Sequence, residues 1–319
     1  KGDQIVIRVT EVTFPCKDVP ELLARFMKDR KSHAGGEAPR NLMPMSEVLT
    51  RMVKNIDDRY YIGDQWQYYC PENANWMSYG WIGGLMNTYP MLALGDAEHL
   101  QKVKNTFDFA LPRAKGKSGY YYDVLGADGK PFSRDAAANH PGVGLTRKNG
   151  DILYWMVKQF MLLKEQEKAS AIDPEWETNV RLLADAFVNT WKKHGTWGNY
   201  LDVESGDIAV YNTTSGAMAV AGLALASGYY NNPDYLKVAC EAAKDYYDSF
   251  ALVGFTSGGC GDILQNADSE TAVALMTSLM TLYEVTGKEQ YLKQSADLAN
   301  LCATWTVSFP YRLPENTPL

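Results

Sequence analysis

From residue 76 onward the sequence alternates between two kinds of helical segment, and this alternation limits the fold more than any other feature. The first kind, at 76–94, 146–163, 212–227 and 268–285, is apolar nearly all round and rich in small residues. A helix without a polar face has to be covered on every side. The second kind carries one apolar stripe at three- and four-residue spacing. Its copies are Leu100, Val103, Phe107 and Leu111, then Trp176, Val180, Leu183, Phe187 and Trp191, then Tyr235, Ala239, Ala242 and Tyr246, and last Tyr291, Ser295, Leu298, Cys302 and Trp305. These helices have one wet face, so the two kinds are expected as the inner and outer layers of one assembly.

The joint inside each pair is short: Leu94-Gly95-Asp96, Ser227-Gly228 through Asn232-Pro233, and Thr286-Gly287-Lys288. Gly suits the left-handed residue that ends a helix, and Asp96, Asp173 before Pro174, and Asn232 before Pro233 suit the cap of the next. The pairs recur at roughly 55 to 70 residues, which is repetition at supersecondary scale. The connections between pairs, about 60–75, 114–145, 195–211 and 251–267, are long. If the pairs stand side by side as hairpins, all the long connections lie at one end, where a function would be built.

Composition narrows the function. With 319 residues, 46% of them hydrophobic, a large core is available in one domain. The net charge of −7 offers nothing to the phosphates of a nucleic acid, and no apolar run reaches the length of a membrane span. Five scattered cysteines give no C-x-x-C metal spacing. Ile5, Ile7 and Val9 alternate as in a strand, and a lone strand is not stable. Residues 1–15 are therefore expected to be a strand or linker from a preceding region, and 16–319 a single helical-hairpin toroid within a larger protein.

The long connections combine aromatic rings with carboxylates: Tyr60, Tyr61, Trp66, Tyr68, Tyr69, Tyr120, Tyr121, Tyr122, Trp197 and Tyr200 beside Asp64, Glu72, Asp123, Asp135, Asp202, Asp207 and Asp262. A sugar ring stacks its axial hydrogens on π surfaces and hydrogen-bonds through its hydroxyls, so this mixture suits a poly- or oligosaccharide. The competing reading is that the rings only fix long loops to the rim.

The hairpin alternation, together with Gly80-Trp81-Ile82-Gly83-Gly84-Leu85, Leu94-Gly95-Asp96-Ala97-Glu98-His99-Leu100 and Tyr283-Glu284-Val285-Thr286-Gly287-Lys288, resembles the six-hairpin glycoside hydrolase superfamily over about residues 19–305. That resemblance implies an all-α fold, an (α/α)6-type toroid of helical hairpins. It also implies a carbohydrate-active enzyme that needs no metal or cofactor, in a secreted or periplasmic bacterial protein. The architecture serves lyases and epimerases too, so it specifies fold more than activity. Four firm hairpins and a weaker pair at about 19–30 and 46–57 can be counted, one short of six. The tail Phe309-Pro310-Tyr311-Arg312-Leu313-Pro314 reads as a further long loop, so the toroid is expected to be incomplete at its C-terminal end.

Glycoside hydrolysis needs two carboxyl groups across the scissile bond. Asp151, one turn into the second inner helix, is a candidate, although the helix dipole also favours an acid there. Asp262, at the end of Ser257-Gly258-Gly259-Cys260-Gly261-Asp262, is another, because glycines let backbone approach a ligand closely. Glu270 and Asp268 follow, with Asp268 also placed to cap its helix. For substrate contacts the reading takes Asp64, Trp66, Trp76, Tyr121, His140, Arg147, Trp197 and Tyr200. A second reading is β-elimination on a uronate glycan, for which Asn139, His140 and Arg147 could neutralise the carboxylate and move the proton. A glycan-binding domain without chemistry is the third. No phosphate loop, dinucleotide fingerprint, paired-His metal motif or G-x-S-x-G elbow occurs.

Overall fold

The computed structural model describes residues 2, 4, 6–33, 43–71, 76–80, 83–132, 142–259 and 266–306. Helices dominate them. Four hairpins follow one another: α3 (Gly84–Ala93) with α4 (Ala97–Ala110), α5 (Thr146–Glu165) with α6 (Pro174–His194), α7 (Ala217–Tyr230) with α8 (Pro233–Ser249), and α9 (Ser269–Thr286) with α10 (Glu289–Ala303). Before them come α1 (Val19–His33) and α2 (Met45–Tyr60). The inner helices form a row in which α5 packs on α3 and α7, and α7 on α9, while the even-numbered members lie outside. This is the layering expected of an (α/α) toroid.

Small residues set the spacing of the row. Every residue of α7 from Ala217 to Ala224 is buried. A Cβ on Gly150 of α5 would lie 2.7 Å from the Ala219 nitrogen of α7, and one on Gly222 would lie 2.7 Å from Leu153 Cγ of α5. Each helix therefore settles into a notch on the other. On the far side of α7 the Ser278 hydroxyl of α9 donates to the Ala217 carbonyl (2.7 Å) and accepts from the Ala221 nitrogen (3.1 Å).

The outer layer is tied together by aromatic donors on carboxylates. Trp176 of α6 donates to Asp108 of α4 (3.0 Å), Trp191 of α6 to Glu241 of α8 (3.1 Å), Tyr235 of α8 to Asp185 of α6 (2.5 Å), and Tyr247 of α8 to Asp297 of α10 (2.6 Å). Each buried ring thus satisfies its polar atom at the edge of the core. Asp96, Asp173, Asn232 and Asp268 cap α4, α6, α8 and α9 with their side chains. Gly195 and Gly287 take the left-handed position that ends α6 and α9. After α7 that position falls to Asn231, whereas Gly228 continues the helix.

Three expectations are corrected. Residues 76–78 are not helical: Trp76–Ser78 is a strand, and the helix starts only after a turn in which the Gly83 nitrogen donates to the Gly80 carbonyl (2.6 Å). Gly80 has φ +64, a left-handed conformation that closes the strand before α3. Next, α1 and α2 are not a hairpin. α1 packs on α10, whereas α2 docks beside α4, where Asp57 meets His99, so the two sit at opposite ends of the row. Finally, the described residues between 6 and 16 form no strand.

The strands belong instead to the long connections. β1 (Tyr61–Ile62) pairs with β2 (Tyr68–Tyr69); β3 (Trp76–Ser78), β4 (Val124–Gly126) and β5 (Pro131–Phe132) form one antiparallel sheet; β6 (Val143–Leu145), β7 (Tyr200–Asp202) and β8 (Ile208–Val210) form another. Because each three-stranded sheet draws strands from two connections, the long loops are held together at one end of the helices.

Candidate functional site

The inner helices α5, α7 and α9 begin at that loop end, and Arg147 joins all three starts. Its backbone nitrogen, on α5, donates to Ser215 Oγ just before α7 (3.0 Å). Its Nη1 donates to the Glu270 carbonyl in the first turn of α9 (3.0 Å). Its Nε lies 3.2 and 3.1 Å from the two oxygens of Asp151, one turn further along α5. Arginine suits this work because its guanidinium is a rigid fork of donors. The Asp151 side chain is only 2% exposed and that of Arg147 12%, so the ion pair is shielded from water.

Two glycine contacts hold neighbouring segments against these helix starts. A Cβ on Gly80 would come within 2.9 Å of Asp151 Cβ and 2.8 Å of Lys148 Cα, so the turn leading into α3 lies directly on the first turn of α5. A Cβ on Gly259 would meet Glu270 Cβ and Asp268 Oδ1 at 2.8 Å, so the glycine run before α9 lies against that helix start. Reciprocal bonds between Thr214 and Ser257 join the loops that precede α7 and α9. Asn199 completes the wall: its carbonyl accepts from the Thr146 nitrogen (2.9 Å) and its side-chain oxygen from Thr213 Oγ1 (2.9 Å). Two buried atoms here, Thr146 Oγ1 and Asn199 Nδ2, find no hydrogen-bond partner among the described residues.

Of the residues chosen from sequence, the structure brings Arg147, Asp151 and Glu270 together. Asp268 stands beside them, but its carboxylate is taken up by the cap. Oδ1 accepts from the Thr271 nitrogen (2.7 Å) and hydroxyl (2.8 Å), and Oδ2 from the Gly259 nitrogen (3.1 Å). Asp262 and His140, with Asn139, lie outside the described residues.

Most of the chosen rings are elsewhere. Tyr121 is fully buried, and its hydroxyl donates to the Leu111 carbonyl (3.1 Å) while Asn149 clamps its backbone. Trp197 is fully buried too, edge-on to Phe187, with its indole nitrogen on the Phe187 carbonyl (2.8 Å). Tyr200 of β7 is buried against its strand partner Leu145 of β6, in a small cluster apart from the main core. Burial leaves these rings no face to offer a sugar, and ring content alone does not reveal which side of a long connection is covered. Trp76 is half-buried in β3. Trp66 and Asp64 line a groove on the outside of α4. Ser215, Asn199 and Thr213 were missed from sequence; the signal for Ser215 and Thr213 is the hydroxyl-and-glycine run 213–216 directly before α7, which resembles the run 256–259 in the connection that leads to α9.

No protein-family model matches the sequence, and neither does any curated protein. Solved structures do match in fold. A GH76 α-mannanase from Bacteroides thetaiotaomicron aligns at TM-score 0.58 and 14% identity, over 82% of this chain and 72% of its own. A D-mannose isomerase aligns at TM-score 0.55 and 14% identity, over 83% and 72%. The unsaturated glucuronyl hydrolase of Bacillus sp. GL1 aligns at TM-score 0.53 and 12% identity, over 82% and 68%. The chain therefore has the (α/α) toroid fold that these structures share. No described helix is long and apolar enough to cross a membrane.

Proposed function

We propose that this chain is a carbohydrate-active enzyme domain that hydrolyses glycosidic bonds at the loop end of its toroid. The observation that carries the reading is the Arg147 junction, which holds the buried carboxylate of Asp151 at the convergence of three inner helix starts, beside Glu270. That the solved structures sharing the fold include an α-mannanase, a mannose isomerase and a glucuronyl hydrolase supports a glycan as the substrate class.

Hydrolysis breaks the bond between the anomeric carbon and the leaving oxygen and adds water across it. One carboxylic acid protonates the leaving oxygen, and a carboxylate either takes the proton of the attacking water or attacks the carbon itself. An ion-paired carboxylate suits the second role, which falls to Asp151. The acid role falls to Asp262 or Glu270, on the segment entering α9 and on its first turn. Lining the centre with Asn199, Thr213 and Ser215 adds neutral hydrogen-bonding groups suited to sugar hydroxyls.

Arg147 also gives the second reading its footing, since a guanidinium at the site could hold a uronate carboxylate during β-elimination, with His140 as the proton-moving group. The products decide. Incubation with neutral and uronate-containing polysaccharides is expected to release reducing ends without an ultraviolet chromophore. An unsaturated, ultraviolet-absorbing product abolished by His140→Ala would establish elimination instead, and binding without turnover would leave a glycan-binding domain.

A further inference from the structure

Outside the ring, at the same end, the C-terminal half of α4 and the β1–β2 loop enclose a groove of about 470 Å³. Its lining is unusual for a surface cleft. Planar polar side chains dominate it: Asp64, Gln65 and Gln67 from the loop, Asn105 and Asp108 from α4, and Arg113 just after it. Planar amide, carboxylate and guanidinium groups each present two polar atoms at a spacing that matches adjacent hydroxyls of a sugar ring.

Several of these groups are already held in place. Asn105 accepts from Gln101 (2.8 Å) and donates to the Tyr61 hydroxyl (2.8 Å). Asp108 accepts from the Trp176 indole (3.0 Å), and Arg113 donates through Nη1 to the carbonyls of Asp108 and Phe109 (2.7 and 2.9 Å). The Arg113 guanidinium also lies 4.7 Å from the centre of the half-buried Trp66 ring, which is tilted against Phe109. Binding here would immobilise little that is mobile, so its entropic cost is small.

We infer that this groove is a second glycan-binding site, separate from the Arg147 centre, that takes two or three units of a neutral oligosaccharide through Trp66 and the polar groups around it. A neutral ligand follows from the lining, where the two acids Asp64 and Asp108 outnumber the one cation Arg113 and so disfavour a polyanion. The inference rests on the carbohydrate reading above, and the test separates the two. Binding of mannohexaose, cellohexaose and a hexauronate is measured by calorimetry on the whole chain, in the Asp151→Asn background to prevent turnover, with Trp66→Ala and, as a second groove variant whose exposed side chain leaves the core untouched, Gln67→Ala. A neutral hexasaccharide is expected to bind, and each groove variant to weaken it, Trp66→Ala by about tenfold, the equivalent of one lost ring contact. Unchanged affinity in both groove variants, with loss in Arg147→Ala, overturns the groove and leaves the proposed function standing. Preference for the hexauronate overturns the neutral assignment. No binding of any of the three overturns both.

Discussion

Arg147 and Asp151 are one helical turn apart on α5, and the guanidinium that reaches back to the carboxylate also reaches across to α9, so one side chain serves both as the partner of the central acid and as the tie between neighbouring hairpins. Both tasks depend on shielding. Removing one partner from a buried pair leaves the other charge uncompensated, and that usually costs more than the pair contributes when intact.

Arg147→Ala is accordingly expected to lower stability by about 3–5 kcal/mol, read from the midpoint of denaturant unfolding. Asp151→Asn added to it should recover part of the loss, because no lone buried carboxylate remains. If the double variant is as unstable as the sum of the two single ones, the pair is not coupled in the way described.

Gly150→Ala tests the packing of α5 on α7. Helix propensity alone predicts stabilisation of about 1 kcal/mol. The added Cβ, 2.7 Å from the Ala219 nitrogen, predicts the opposite sign, a loss of about 1–3 kcal/mol as the helices are pushed apart. A more stable variant would show that α7 stands further off than the structure has it.

The docking of α2 is expected to depend on pH. His99 bridges Asp96 (2.6 Å) and Asp57 (2.9 Å), and Lys102 and Tyr69 also contact Asp57. Burial works against the charged imidazole, but the hydrogen bonds to Asp96 and Asp57 outweigh it and raise its pKa above the ordinary 6.5. The stability it adds is therefore complete below pH 6.5 and is lost as pH rises through the folded-state value. Asp57 is shifted the other way: burial opposes its charge, but bonds from Tyr69, Lys102 and His99 hold its pKa below the ordinary 3.8, so its share is lost in acid. The two coincide between about pH 4 and 6.5. Protection of the α2 amides, taken as their hydrogen exchange relative to the intrinsic rate at each pH, should be greatest in that window and fall above it, and His99→Gln should remove the alkaline change.

Much of this could be read from the chain. The all-round apolar run 217–226 could only be an inner helix, and Asp96, Asp173 and Asn232 marked helix starts because a short polar side chain before a periodic stretch has few other uses. Arg147 and Asp151 were legible as site candidates, but not as partners of one another, since nothing in sequence places the Arg147 guanidinium on α9. Trp76–Ser78 read as helix because it runs without a polar break into α3, and only Gly80 and Gly83 mark the turn between them. The rings were misplaced for a physical reason: Tyr121 and Trp197 have polar atoms that satisfy backbone carbonyls inside the core, so polarity did not keep them at the surface.

Trp197 separates the two uses of an aromatic ring. As a core residue, Trp197→Ala should cost about 3–5 kcal/mol, while Trp197→Phe, which keeps the packing, should leave the affinity for oligosaccharide unchanged. A binding defect in Trp197→Phe without loss of stability would put that ring back in the sugar site.

The central claim is that Asp151 takes part in bond cleavage, and it is tested most directly by the turnover of Asp151→Asn on the polysaccharide that the unaltered protein degrades fastest. With unfolding midpoint and circular dichroism showing the fold intact, the rate of reducing-end release is expected to fall by about two to four orders of magnitude. A folded Asp151→Asn protein that hydrolyses its substrate at an undiminished rate would contradict the account and reduce Asp151 to the structural partner of Arg147.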